Sequence, residues 1–498
     1  MTNFGEKFTE QWPSENSTNM LTDFGKKLLA DCSKIGIKSF GNTTLADIVN
    51  KSSRFPIEFG THNCRIQNQP EDRSSFILNQ LASAYPVVHE RVLCLYINFL
   101  EHKSHYANKC EKEIFSNISL TDFVQRLLTK RCVTFYGKND KYQLLTGEKG
   151  CSGFMTVGTE AETPPLLLKN VLSYDEVKLS ALLSVSSHSE FLNDGNRNNI
   201  GVIETDKTKI EREGVVIGII GARLSRRDVM EFQDIVISKT QNTFENGYGQ
   251  ISTSNETRQS SYRQVWRNFY EEPDFVFNKV VKDGKRFGNS KNMNDIFDNL
   301  IMKKRYAISF DTLLLDSNAR AEAAGKRAFI HVVGIGLGVW KTAPQQEEIF
   351  LLTFTERLKV LASKLKHVAF VHFSWFSVTE CGELKHGGII QCDTHPDGGI
   401  RTFLSKRNPA DKLPQPEFEN VLLIVSYAWD GNALPGNEFW MKMLKSSGDS
   451  STACSTLITE IHNPHINSQM VCGENLHIAS PEHGVIHISE YSKKVLNM

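Results

Sequence analysis

The chain has 498 residues, with 57 Lys and Arg against 57 Asp and Glu, so its formal charge is zero. Apolar types make up 40% and charged types 23%, a balance that excludes a disordered tail, a collagen, a disulfide miniprotein and a histone-like DNA coater. The length predicts about two to four domains with a self-sufficient core, and the zero charge argues against a nucleic-acid polymer as partner.

The opening MTNFGEKFTEQW lacks the apolar stretch of a secretory signal. Residues 1–150 read as a helical N-terminal region. From Ser74 to His102 the residues Phe76, Ile77, Leu81, Val88, Val92, Leu95 and Phe99 recur at three- and four-residue steps, with Pro86 dividing two helices. Thr121 is a cap for a short helix at 122–128. No catalytic constellation stands out here.

Residues 215–220, Val-Val-Ile-Gly-Ile-Ile, read as a strand buried on both faces. Arg223, Arg226 and Arg227 follow, either as a solvated basic face or as phosphate contacts. The polar span Gln241–Tyr262 reads as a long loop. Ala328–Val333 is a strand, then come Gly334-Ile-Gly-Leu-Gly-Val-Trp340, a helix over 349–365 and a strand at His367–Phe373. Strand, glycine loop, helix and strand make a βαβ unit. A further strand, Val421–Ser426, runs into Tyr427-Ala-Trp-Asp-Gly-Asn-Ala-Leu-Pro-Gly-Asn-Glu-Phe-Trp440. The fold class is therefore α/β, with a mostly parallel or mixed sheet flanked by helices. Its apolar runs are too short to cross a bilayer, so no membrane partner is expected. Ten cysteines include no C-x-x-C pair, which fits reduced thiols in the cytoplasm or nucleus.

Two segments carry chemistry. Alternating glycines at 334, 336 and 338 let backbone amides approach a pyrophosphate. A dinucleotide fingerprint would need G-x-G-x-x-G opening the helix, and here the third glycine comes one place early. Asp430 and Glu438 stand eight apart across a Pro-Gly turn, so both can face one crevice. Asn432 and Asn437 offer amides to ribose hydroxyls or to the main chain, and Trp429 and Trp440 could wall a cleft. Asp449 or a neighbouring serine caps the helix after 446–452, whose start could also hold a phosphate. Cys392, His395 and Asp397 are metal-ligand types without a partner cluster, so no metal is expected.

The glycine loop and the 426–440 segment together resemble a divergent macrodomain family that includes the bacterial effector MavL and eukaryotic homologues. The resemblance covers roughly residues 200–498 and implies a macrodomain-like ADP-ribose-binding catalytic domain over 151–498. It further implies a metal-independent hydrolase, without a resident cofactor, that removes ADP-ribose from arginine side chains of proteins, modified ubiquitin included. The family's acidic trio corresponds to Asp430, Glu438 and Asp449, with Glu438 standing where the pattern has Asp. The ligand would lie on Gly334, Gly336, Leu337, Gly338, Val339 and Trp340, near Trp429, Asn432 and Asn437. Two alternatives remain open: a non-catalytic ADP-ribose reader, and an enzyme acting on poly(ADP-ribose) or O-acetyl-ADP-ribose.

Overall fold

Runs of β-branched residues take the centre of the molecule. The computed structural model describes residues 2–13, 21–250 and 256–498. Ten strands form its main sheet: β1 (Tyr85–His89), β2 (Ser184–Glu190), β3 (Glu213–Ile220), β4 (Arg327–Val332), β5 (Val368–Ser374), β6 (Gly388–Gln391), β7 (Gly399–Ser405), β8 (Val421–Trp429), β9 (His477–Ser480) and β10 (Gly484–His487). Their spatial order is β6-β7-β5-β4-β8-β3-β2-β1-β9-β10. The five strands from β7 to β3 are parallel, whereas β6, β2 and β10 run against their neighbours. In β3, Val215, Val216 and Ile217 are wholly buried, as a strand covered on both faces requires.

Five helices matter below: α1 (Glu90–Tyr106), α2 (Arg258–Tyr270), α3 (Asn299–Ala323), α4 (Gln346–Leu361) and α5 (Gly448–Ser455). The β4–α4–β5 unit forms as the spacing predicts, with β4 and β5 parallel. Helix α3, about 37 Å long, is buried along most of its length. Asp298 caps it by accepting the amides of Leu300 and Ile301 at 3.0 and 3.1 Å. Its Asp311 forms a buried double hydrogen bond with Arg357 of α4 at 2.7 and 2.9 Å, locking the two helices together.

Three elements differ from the sequence reading. Pro86 does interrupt the 74–102 periodicity, but a whole strand, β1, fills the break. Its Val87 and Val88 are fully buried because the sheet passes through the N-terminal region. Helix α2 begins inside the span read as a loop, whose residues 251–255 lie outside the described ones. Helix α3 has no apolar stripe to announce it, since nearly every side is covered. Among the described residues no helix is long and apolar enough to cross a membrane, and all ten cysteines are free thiols.

Topology places the site. From β4 the chain moves outward to β5 and β7, then returns to β8 on the opposite flank of β4. Connections leaving β4 and β8 at their carboxyl ends thus diverge, and ligands of open α/β sheets bind in the crevice so opened. The loop after β4 is the glycine loop, and the loop after β8 begins at Asp430.

Candidate active site

The three acids converge. Asp430 is the first residue beyond β8. The chain then turns through Gly436, at φ 102°, into a short 3-10 turn, Asn437–Met441, which carries Glu438. Asp449 lies in the first turn of α5, fully buried and directed back at the loop. Its Oδ1 accepts the amide of Gly436 at 2.8 Å and its Oδ2 accepts the amide of Asp430 at 3.2 Å. The cap of α5 is Ser447, which accepts the amide of Ser450 at 3.2 Å and donates to Glu438 Oε2 at 2.8 Å. One helix start therefore grips both other acids, through Asp449 and through Ser447.

Packing three carboxylates together has an electrostatic consequence. Burial, then the neighbouring charge of Glu438, pushes Asp430 up to about 7, against the opposing pull of the Asn437 hydrogen bond and the Arg223 charge. Asp449 is raised well above the usual carboxylate range, by burial first and then by Asp430. At neutral pH the cluster holds a proton that isolated carboxylates would have lost.

Asn437 positions Asp430 by donating from Nδ2 to its carboxylate. The same side chain accepts the amide of Phe135 at 2.9 Å and donates to its carbonyl at 3.3 Å. Phe135 belongs to a small hairpin sheet, Thr134–Tyr136, Lys141–Gln143 and Lys149–Cys151. Arg223 packs over the Phe135 ring at 4.3 Å and binds Asp140 and the Gly137 carbonyl, both at 2.9 Å. A brace thus runs from Asp140 through Arg223 and Phe135 to Asn437 and Asp430. Asn437→Asp keeps the shape but replaces the donor by an acceptor. Losing a hydrogen bond to a charged group, worth ~1.5–3 kcal/mol, should lower kcat by about 10- to 100-fold. The acidic limb of the pH profile should also move upward, and steady-state kinetics across pH would show both changes.

The glycine loop lies beside this cluster because β4 and β8 are adjacent. Gly336 has φ +71° and packs against Gly221 at the end of β3, where a Cβ on Gly221 would lie 2.4 Å from the Gly336 nitrogen. Gly338 and Val339 are exposed, whereas Leu337 and Trp340 are partly buried against the core.

Other candidates sit elsewhere. Trp429 and Trp440 are core residues rather than cleft walls. Arg131 covers the Trp429 ring at 4.2 Å, and Phe59 and Phe55 pack on Trp440 at 5.0 and 5.1 Å. Asn432 is fully buried, and its carbonyl accepts the Cys132 amide at 3.0 Å, so it braces the loop. Of the arginines read as a solvated face, Arg223 is buried, Arg226 lies 3.5 Å from Asp140 and Arg227 binds Asp295 at 2.7 Å. His395 is buried against the carbonyls of Leu365 and Val368, each at 3.1 Å. Asp397 pairs with Arg327. Among the described residues no cluster of His, Cys, Asp and Glu could hold a metal. The brace of Asp140, Phe135 and Arg223 escapes sequence reading, because nothing in local spacing joins residue 135 to residue 437.

Acidic side chains thus gather at the carboxyl edge of a parallel sheet, beside a partly exposed glycine loop, where open α/β sheets bind ligands. The comparisons make this specific. A model of the MavL-like ADP-ribosylhydrolases matches residues 46–494, and the chain belongs to that family. It is 55% identical over 498 residues to the Drosophila melanogaster ADP-ribosylarginine hydrolase CG2909, covering 100% of this chain and 99% of the relative. It is 53% identical over 490 residues to ADP-ribosylarginine hydrolase CG3568 of the same fly, covering 97% and 95%.

Proposed function

We propose that this protein hydrolyses the N-glycosidic bond between ADP-ribose and an arginine side chain of a modified protein. The observation that carries the reading is the linked acid cluster of Asp430, Glu438 and Asp449 at the β4/β8 crevice, in a chain of this family. The bond between the ribose anomeric carbon and the guanidinium nitrogen breaks through an oxocarbenium-like state, which adjacent carboxylates stabilise. Water adds to the anomeric carbon and one of its protons passes to a carboxylate, while the linked guanidinium departs with the bonding pair as neutral guanidine and then takes up that proton. Asp430 is suited to take that proton, since a base titrating near 7 is effective at neutral pH. Glu438, half-buried at the loop surface, is placed to pair with the incoming guanidinium. Asp449 fixes the loop through two main-chain amides.

The pyrophosphate would lie along Gly334–Gly338, and the chemistry calls for no metal or resident cofactor. Reduced cysteines favour the cytosol or nucleus as the site of action. Modified ubiquitin is one protein substrate to assay. The test is release of ADP-ribose from arginine-linked, serine-linked and glutamate-linked substrates. Turnover confined to the arginine linkage supports the proposal, whereas tight ADP-ribose binding without turnover would make the protein a reader. If Asp430 must be ionised, kcat/KM rises about tenfold per pH unit below about 7 and levels off above it. A profile flat from pH 5 to 8 would remove Asp430 as the base.

A further inference from the structure

The hairpin sheet that braces Asn437 has two faces. Pairing places Thr134 opposite Gln143 and Gln143 opposite Lys149 in one row, with Tyr136, Lys141 and Cys151 in the next. Alternation turns Phe135 and Tyr142 to the other side, where their rings pack on Phe154 at 5.0 and 5.5 Å. The first face, with Tyr142 and Gly150, borders a cavity of about 290 Å³ that is also lined by Met441, the last residue of the turn carrying Glu438. In its floor, Thr134 is 1% exposed and its Oγ1 has no hydrogen-bond partner. Lys141 and Lys149 stand exposed at the rim, Lys141 5.9 Å from the Tyr136 ring, and neither has an ion-pair partner among the described residues. Glu148 is turned to the hairpin tip, where it accepts from Thr146 at 2.8 Å. A cationic groove therefore adjoins an acidic catalytic cluster.

We propose that this groove docks an acidic segment of the modified protein that flanks the ADP-ribosylated arginine. The inference rests on the hydrolase reading above. An arginine with acidic neighbours presents the inverse of this surface: its guanidinium faces the carboxylates while its flanks meet Lys141 and Lys149. Met441, which lines the groove, shares its turn with Glu438, three residues earlier, so a segment seated in the groove lies next to the element that carries an acid of the cluster.

The test compares wild type with Lys141→Glu/Lys149→Glu on three substrates. These are free ADP-ribosyl-arginine, an arginine-modified peptide with Asp and Glu flanks, and the same peptide with Ser and Gly flanks. Wild type should favour the acidic peptide over the neutral one. The variant should lose about tenfold in kcat/KM on the acidic peptide, through KM, and stay unchanged on free ADP-ribosyl-arginine. Equal loss on the free compound would assign the lysines to the ADP-ribose site, and no loss on the acidic peptide would leave the groove without this role. Either outcome overturns the proposal. Fluorescence anisotropy with the unmodified acidic peptide reads docking without catalysis: wild type should bind it, more weakly in high salt, and the variant should not. A wild type that turns over none of the three substrates defeats the hydrolase reading separately, and anisotropy then decides the groove by itself.

Discussion

Asp430→Asn should lower kcat by about 10²- to 10⁴-fold while ADP-ribose still binds, the range expected when a positioned acid-base group is removed. The substitution preserves shape and leaves the Asp430 amide on Asp449 in place. It should also alter stability in a pH-dependent way. The folded-state pKa is raised from 3.8 to about 7. The folded protein therefore keeps a proton that the unfolded chain has lost between those values. This contribution favours folding fully below pH 3.8 and is lost as pH rises through about 7. The neutral amide does not suffer that loss, so Tm of the variant minus Tm of wild type should grow from pH 5 to pH 8. A constant difference across this range would show that Asp430 titrates normally.

Gly221→Ala should weaken ligand binding. The added methyl would stand 2.4 Å from the nitrogen and 2.7 Å from the Cα of Gly336, both backbone atoms that no rotamer change can move. The glycine loop must shift. Each amide withdrawn from a charged phosphate costs ~1.5–3 kcal/mol, so ADP-ribose affinity should fall by about tenfold or more in isothermal titration. Overpacking itself costs ~1–3 kcal/mol, a loss visible in thermal unfolding. Unchanged affinity would detach the glycine loop from the ligand site.

Much of this was legible in the residues because it is local. The strands around Val215–Ile220, Ala328–Val333 and Val421–Val425 are announced by β-branched runs, and the βαβ unit by its loop and helix spacing. The eight-residue interval from Asp430 to Glu438 spans the loop between the end of β8 and the 3-10 turn that carries Glu438. What stayed hidden is what the sheet assembles from distant chain. The five residues of β1 sit between two helices and share their apolar periodicity, so only pairing with β2 and β9 reveals a strand. Asn437 offers the same amide to ribose or to main chain, and the choice is made by Phe135, 302 residues away. The tryptophans near the acids are rare residues, yet rarity did not indicate exposure. Both were consumed by the core.

The position of β1 also governs how the protein can be made. It lies between β2, completed by residue 190, and β9, which begins at residue 477. A ribosome emits the chain from the amino end, so one edge of β1 waits uncovered until residues 477–480 have been synthesised. Non-local pairing of this kind is slow to form and exposes open strand edges meanwhile. Helices on either side of β1 can form early, but this side of the sheet is completed only once residues 477–487 have emerged. Nascent chains truncated before residue 477 would therefore display an open edge, and they are the form on which a cell's folding assistants would act.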